Sequence, residues 1–452
     1  MGIEVTVGID IGTTSVKALA ADGDGHMLAR SRVTRPLLAR HAGELAHDAR
    51  SSWRDGVGES LGQVLTGADA PSLAVRGVNV AAMVPSLCAV DDDGVPVSDG
   101  LLYGDARGAG GDPAADSASS GELVRFLEWL AREHPDAAGY WPAQAVANRA
   151  LSGVGAIDTT VAMTALPLFD FQGWDTAVAA KAGVDDVGRL PRIVVGSDAV
   201  GRVDAAGGAL LGGGTIDALA EQFVAGADAD GDVLVILGST LIVWAVIPEW
   251  REAPGVWTVP HTAPGKSLIG GPSNAGGLFV GWANRLLAGR QEAGTAVDPG
   301  RVPVWQPYLR GERVPLHDRD RRASLHGLDI GLDAAAVRRA AYEASAFAAR
   351  HMLDLGGAMA TARRIVATGG GVRDAAWVQA LADGTGLPVD PVAVPEGAAL
   401  GAAYLARVTA GLEESTADAG RWARSGPRVE PDPRWAAAAS ERYARYREFA
   451  EP

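Results

Sequence analysis

The sequence writes one local unit twice, and this duplication narrows the folds open to the chain more than any other feature. Residues 5–19 read Val-Thr-Val-Gly-Ile-Asp-Ile-Gly-Thr-Thr-Ser-Val-Lys-Ala-Leu, and residues 232–246 read Asp-Val-Leu-Val-Ile-Leu-Gly-Ser-Thr-Leu-Ile-Val-Trp-Ala-Val. Each is an apolar β-type run, a tight turn of Gly with Ser and Thr, and a second β-type run. That order predicts a hairpin with hydroxyls and backbone N–H groups at its tip. Such a tip offers convergent donors and no bulky side chain, so an anion such as a phosphate chain can lie against the backbone. Two such tips facing each other across a cleft would hold a nucleotide polyphosphate. The first copy carries Asp10 just before its turn, where a carboxylate would suit a hydrated Mg²⁺ bridging those phosphates.

A chain of 452 residues exceeds what one core usually spans, and a repeat in each half points to two domains. With 47% hydrophobic and 21% charged residues, the composition is that of a globular protein. A formal charge of −15 argues against a nucleic-acid partner, which needs a basic face. The single cysteine, Cys88, excludes an internal disulfide framework and fits a reducing cytoplasm. The first residues lead into a strand without a charged and then apolar leader, so secretion is not expected. No apolar stretch reaches the roughly 18 residues a membrane span wants.

Strands are predicted at 4–11, 15–21 and 26–33, and residues 77–82 and 87–90 read as a strand pair or strand-loop-strand closed by the turn 91–94. Residues 107–121 read as a flexible surface loop, and helices are predicted at 122–133 and 142–151. The small, polar stretch 226–231 marks a domain boundary. Beyond the second hairpin come helices at 275–288 and 333–355, a strand at 364–368, the loop of Gly369, Gly370 and Gly371, helices at 374–384 and 397–410, and a helical tail from 433. The charged face from Arg338 to Arg350 reads most simply as solvated.

With these segments in place, the chain resembles the FGGY family of carbohydrate kinases, which includes xylulose, ribulose, glycerol and gluconate kinases. Five segments match in the family's order over about residues 4–410. Residues 8–17 resemble the first phosphate motif, and 213–218, Gly-Gly-Thr-Ile-Asp-Ala, the segment with the catalytic aspartate. Residues 237–240, Leu-Gly-Ser-Thr, resemble the second phosphate motif. Residues 307–318 are similar to a signature of the second domain, and 367–377 to the adenosine-binding loop. The resemblance implies an α/β fold of two actin-like (ribonuclease H-like) domains, each with a mixed five-stranded sheet flanked by helices, around a central cleft. It divides the chain into 1–228, the sugar and Mg/phosphate side, and 229–452, the adenosine side. It implies ATP and Mg²⁺, a sugar or polyol substrate, no nucleic-acid or membrane partner, a cytoplasmic location, and a homodimer as an assembly to consider.

Residue by residue, the resemblance makes Asp217 the catalytic group, orienting or deprotonating the sugar hydroxyl, although a carboxylate there can also simply cap a helix. Asp10 and Asp217 would serve the metal. An Asp inside an apolar strand is costly unless paired or used. Gly12, Thr13, Thr14, Ser15 and Lys17, with Gly238, Ser239 and Thr240, would hold phosphates, though the hydroxyls could be mere turn formers. Gly369, Gly370 and Gly371 would admit adenosine. Gly276 opens a helix on the adenine side in relatives, and Asp374 stands where the family more often has Asn. Substrate contacts fall to Met83, Asp105, Arg107 and Asp217, the Asp105–Arg107 pair having a surface ion pair as its bland alternative. Met83, Val84 and Pro85 replace a Gln-Met-His run of xylulose kinases, so the sugar pocket should be more open or more apolar. That departure leaves a non-catalytic nucleotide- or sugar-binding sensor of the same fold as the alternative, and an actin-like ATPase or chaperone as a third.

Overall fold

The structure, a computed structural model, describes residues 2–41, 43–67, 72–108, 122–195, 198–261, 265–289, 297–394 and 396–450. It separates into two compact units, Met1–Val224 with Glu396–Trp422, and Ala225–Pro395 with Ala423–Pro452. The expected second half differs from the second unit in one respect, because 396–422 fold with the first.

The first unit is built on β1 (Ile3–Ile11), β2 (Ser15–Ala21), β3 (Met27–Thr34), β4 (Leu73–Ala82) and β5 (Ala209–Leu211), in the order β5-β4-β1-β2-β3. β1 runs antiparallel to β2 and parallel to β4. Short strands Gly201–Val203 and Thr215–Ile216 add to β5 and β4, extending the expected five-stranded mixed sheet.

Strand periodicity gives the sheet two unlike faces. Val5, Val7, Ile9 and Ile11, with Val78, Val80 and Ala82, join Val57, Leu61 and Val64 of helix Gly56–Thr66 in one core. The other face is lined by small residues and receives helix Gly397–Thr409. A Cβ on Gly8 would stand 1.8 Å from the Ala399 carbonyl oxygen, and one on Gly77 2.4 Å from that of Ala406. Thr6 Oγ1 donates to the Ala403 carbonyl at 2.8 Å. Gly401 brings the same helix against helix Asp217–Ala225, where a Cβ would lie 1.8 Å from the Ala220 carbonyl oxygen. This backbone-to-backbone fit is why residues 396–422 belong to the first unit.

Segments between β3 and β4 and between β4 and β5 add a second sheet of Leu37–Leu38, Ala46–His47, Gly100–Leu102, Ser86–Val90 and Gly139–Trp141, packed with helix Glu122–Glu133. The segments predicted at 77–82 and 87–90 are therefore strands of different sheets. Of the loop predicted at 107–121, all beyond Gly108 lies outside the described residues.

The second unit repeats the plan with β6 (Asp232–Leu237), β7 (Leu241–Ile247), β8 (Ser267–Ser273), β9 (Arg364–Thr368) and β10 (Val389–Pro391), in the order β8-β7-β6-β9-β10, and Trp257–Pro260 beside β8. Helices Gly277–Leu286, Ala334–Leu355, Ala375–Thr385 and Pro433–Ala450 pack around it. The charged face of Ala334–Leu355 is not simply solvated. Arg442 of the last helix grips buried Glu343 with two hydrogen bonds of 2.7 and 2.8 Å, and Arg339 bridges Glu343 and Asp383. Removing one partner of such a network leaves a buried charge uncompensated.

Candidate functional site

In the first unit the residues expected from the sequence to form the site around Asp10 and Asp217 lie at the C-terminal ends of β1 and β4, where parallel α/β sheets bind ligands. Asp10 sits on the small-residue face of β1 and is 4% exposed. Its cross-strand partner is Lys17 of β2, whose Nζ donates to Asp10 Oδ2 at 2.9 Å. This ion pair is how an apolar strand tolerates the carboxylate. The Asp10 charge raises the Lys17 pKa, and Glu221 adds to the effect.

The turn of residues 12–15 is closed by the Gly12 N–H on the Ser15 carbonyl at 3.0 Å. Thr13 and Ser15 are buried, and Thr14 is exposed at the tip. Thr13 Oγ1 shares a hydrogen bond of 2.9 Å with the Tyr103 hydroxyl. Trp53 can only donate, and its Nε1–H reaches His47 Nδ1 at 3.0 Å, so His47 Nε2 carries the proton it gives to the Thr13 carbonyl at 2.7 Å. Burial lowers the His47 pKa and keeps this ring neutral.

Asp217 begins helix Asp217–Ala225 directly after the strand Thr215–Ile216. Asp10 and Thr215 both pair with Ala81, one on each side of β4, so their strands are about 10 Å apart. The register thus brings Asp10 and Asp217 to the same end of the same sheet. Asp217 Oδ1 accepts from the Ala218 N–H at 2.7 Å. Glu221, one turn further along, shares the helix face of Asp217 and acts on Lys17. It went unnoticed in the sequence, although its i+4 spacing from Asp217 was legible there.

Met83, directly after β4, is 2% exposed and belongs to the apolar core. Asp105 is wholly buried rather than part of a surface pair. Its oxygens accept from Arg107 Nε at 2.8 Å, Arg107 NH2 at 2.7 Å, the Arg107 N–H at 2.9 Å and the Leu45 N–H at 2.6 Å. Arg107 also lies over the Trp129 ring at 5.3 Å. This carboxylate shapes the wall of the added sheet, with its acceptor positions largely taken.

In the second unit three glycine segments meet at the end of β6. Gly238, Ser239 and Thr240 form the turn, with the Gly238 N–H on the Thr240 carbonyl at 3.1 Å. The N–H groups of Gly277 and Leu278 donate to the Gly238 and Ser239 carbonyls at 2.8 and 3.0 Å. A Cβ on Gly276 would stand 2.2 Å from the Thr240 carbonyl carbon. The structure therefore places Gly276 against the back of the second turn. Gly369 has φ +86° and lies against Leu237, as does Gly371, while a Cβ on Gly370 would meet nothing within 4 Å.

Asp374 caps helix Ala375–Thr385, its Oδ1 accepting from the Ala376 and Trp377 N–H groups at 3.1 and 3.3 Å and its Oδ2 from the Tyr342 hydroxyl at 2.6 Å. In the signature segment, Glu312 is buried and accepts from Ser273 Oγ at 2.7 Å, the Asn274 N–H at 2.9 Å and the Arg313 N–H at 2.6 Å. It thereby anchors the chain just ahead of Gly276. Burial pushes its pKa up to about 7.

Among the described residues no group of three or more His, Cys, Asp and Glu forms a metal cage. The donors present fit Mg²⁺ of the kind that nucleotide enzymes hold, by one or two carboxylates with water and phosphate oxygens completing the shell. Asp10, with one oxygen on Lys17, and Asp217 are the carboxylates at that end of the sheet.

Residues 233–410 match the model of the FGGY family of carbohydrate kinases, C-terminal domain. The chain is 29% identical to the xylulose kinase of Streptomyces coelicolor, covering 92% of this chain and 90% of that one. It is 24% identical to the xylulose kinase of Bacillus subtilis, covering 91% and 90%. The solved structure of ligand-bound xylulose kinase from Lactobacillus acidophilus superposes with a TM-score of 0.81 at 20% identity, covering 99% of this chain and 97% of that one, and shows the shared fold. Both units have the actin-like plan, residues 233–410 match the C-terminal domain of the FGGY family of carbohydrate kinases, and along nearly its whole length the chain is similar to xylulose kinases.

Proposed function

We propose that the protein transfers the γ-phosphoryl group of ATP to a hydroxyl of a ketose, polyol or related sugar. The observation that carries this reading is the register that brings Asp10 and Asp217 to one end of the first sheet, beside a turn of Gly, Thr and Ser. Such a site can orient an alcohol and neutralise phosphate charge at once. Asp217 accepts the hydrogen bond of the acceptor hydroxyl and turns its oxygen toward the γ-phosphorus. The new O–P bond forms as the bond to the β-phosphate oxygen breaks, ADP leaves, and the hydroxyl proton passes to Asp217 and then to solvent.

The transition state of such transfers is loose, so positioning and charge neutralisation outweigh full proton abstraction by a normal Asp. Lys17 and the backbone N–H groups of residues 12–15 supply positive charge and donors on the first unit. Gly238, Ser239 and Thr240 supply donors on the second, and the open space at Gly370 accommodates adenosine. Asp10 and Asp217 would hold a Mg²⁺, which would supply neutralisation of the phosphate oxygens. Asp105 and Arg107 fix the acceptor pocket's wall, and Asp374 shapes the adenosine loop as a helix cap. The chain retains Asp10, Asp217 and both glycine-hydroxyl turns, which favours an enzyme over a non-catalytic sensor.

The test is acceptor-dependent ADP release with Mg-ATP and a panel of D-xylulose, L-xylulose, glycerol and D-gluconate, chosen from the activities for which relatives are named. At least one should raise ADP release tenfold or more above the acceptor-free rate. A flat response across the panel contradicts the reading for these substrate classes.

A further inference from the structure

We propose that Gln144 and Asn148, two amides one turn apart on helix Ala143–Ser152, are positioning residues that hold the segment carrying Asp217 in register with the end of β4. The catalytic meaning of this pair rests on the kinase reading above. Both side chains are fully buried. Gln144 Nε2 donates to two carbonyls at once, Ala82 at 3.2 Å and Thr215 at 3.1 Å. These belong to the last residue of β4 and to the short strand that leads into Asp217. Asn148 Nδ2 likewise donates to Ala156 at 2.8 Å and Gly213 at 3.1 Å. Four carbonyls from three segments, two of them on 213–215, are thereby fixed by one helix face, since residues i and i+4 lie side by side on it.

The intervening glycines make this grip close. Gly214 has φ +92°, and a Cβ there would stand 3.1 Å from Gln144 Cβ. Gly213 has no space for a side chain either, with Val194 2.5 Å from where its Cβ would be. A strand of only two residues, Thr215–Ile216, has little ladder of its own to set its register. The Gln144 amide therefore supplies the restraint that the ladder lacks.

The oxygens of the two amides, Gln144 Oε1 and Asn148 Oδ1, are buried and find no hydrogen-bond partner among the described residues. Burying an amide half satisfied is unfavourable compared with an apolar side chain of the same shape. These residues are thus poor choices for stability alone and good choices for supplying N–H donors at two fixed points. Neither reaches Asp217 itself, so each acts through the backbone that leads to it.

The experiment uses the full chain with Gln144→Leu, which keeps the volume and removes both donors, and Gln144→Glu, whose carboxyl can donate only when protonated. Turnover is measured with the fastest acceptor of the panel, and amide hydrogen exchange is followed along the chain. Gln144→Leu should lower kcat tenfold or more, leave the KM for ATP within twofold, and raise exchange of the amides in 213–219 about tenfold while the core strands stay protected. Gln144→Glu should regain kcat as pH falls, where the wild type does not. Wild-type kcat and exchange in Gln144→Leu overturn the proposal. Faster exchange throughout the first unit, with kcat falling in step, overturns it too, because the residue would then be merely structural. Should Gln144→Leu fail to fold, the pH profile of Gln144→Glu decides alone. Wild-type protein inactive on the whole panel contradicts the kinase reading but not the grip on 213–219, which the exchange result settles by itself.

Discussion

Glu312 keeps its carboxylate in the interior with three donors and no close cation of comparable effect, so burial outweighs the hydrogen bonds and its pKa rises to about 7. The folded state then binds its proton more tightly than the unfolded chain. The stability it contributes is complete below its ordinary value of 4.5 and is lost as pH rises through about 7. Glu312→Gln keeps an oxygen for the Asn274 and Arg313 N–H groups and offers an N–H to Ser273 Oγ. Urea unfolding at pH 5 and pH 8 should show the wild type losing up to about 3 kcal/mol relative to this variant between the two. Parallel pH dependence in both proteins would show that the carboxylate is not desolvated as described. At this scale the sequence was half legible. Asp10 stood out because an acid in an apolar strand demands a partner, and Lys17, seven residues on, is that partner. His47 gave no such signal, since its role depends on Trp53 and on the Thr13 carbonyl meeting in space.

Hairpins and helices were read almost to the residue wherever local chemistry sets them. The two hairpins follow from β-type runs around small turn residues, and the helices Glu122–Glu133, Ala334–Leu355 and Ala375–Thr385 from apolar spacing and from Asp caps at 333 and 374. What could not be read was which element each one covers. Helix Gly397–Thr409 was predicted in place, but its home against β1 and β4 rests on Gly8, Gly77 and Gly401, whose meaning appears only once a backbone lies across them. Gly276 shows the same dependence, because its lack of a side chain admits the second turn. Gly276→Ala must push Thr240 aside, an overpacking cost of about 1–3 kcal/mol. Gly370→Ala meets nothing within 4 Å. Thermal unfolding should therefore fall by several degrees for the first variant and stay near wild type for the second. Equal midpoints would mean that Gly276 does not buttress the turn.

Across the whole molecule, one plan is used twice, a mixed sheet of five principal strands with its hairpin turn at the end of the first strand. The duplication was visible in the sequence as two similar runs. The return of 396–422 to the first unit was not, because a contact spanning nearly 400 residues leaves no local pattern. The acceptor's identity is equally unreadable from the motifs, since specificity rests on a few polar contacts that no short motif encodes. The account as a whole depends on Asp217 acting on the acceptor hydroxyl, with Asp10 and the two turns left to hold the nucleotide when Asp217 is changed. Its most direct test is the steady-state kinetics of Asp217→Asn with the fastest acceptor of the panel, alongside ATP binding by calorimetry. Acceptor-dependent kcat should fall by about a hundredfold to ten-thousandfold, with the Kd for ATP within a few-fold of wild type. Turnover retained near the wild-type rate would contradict the account.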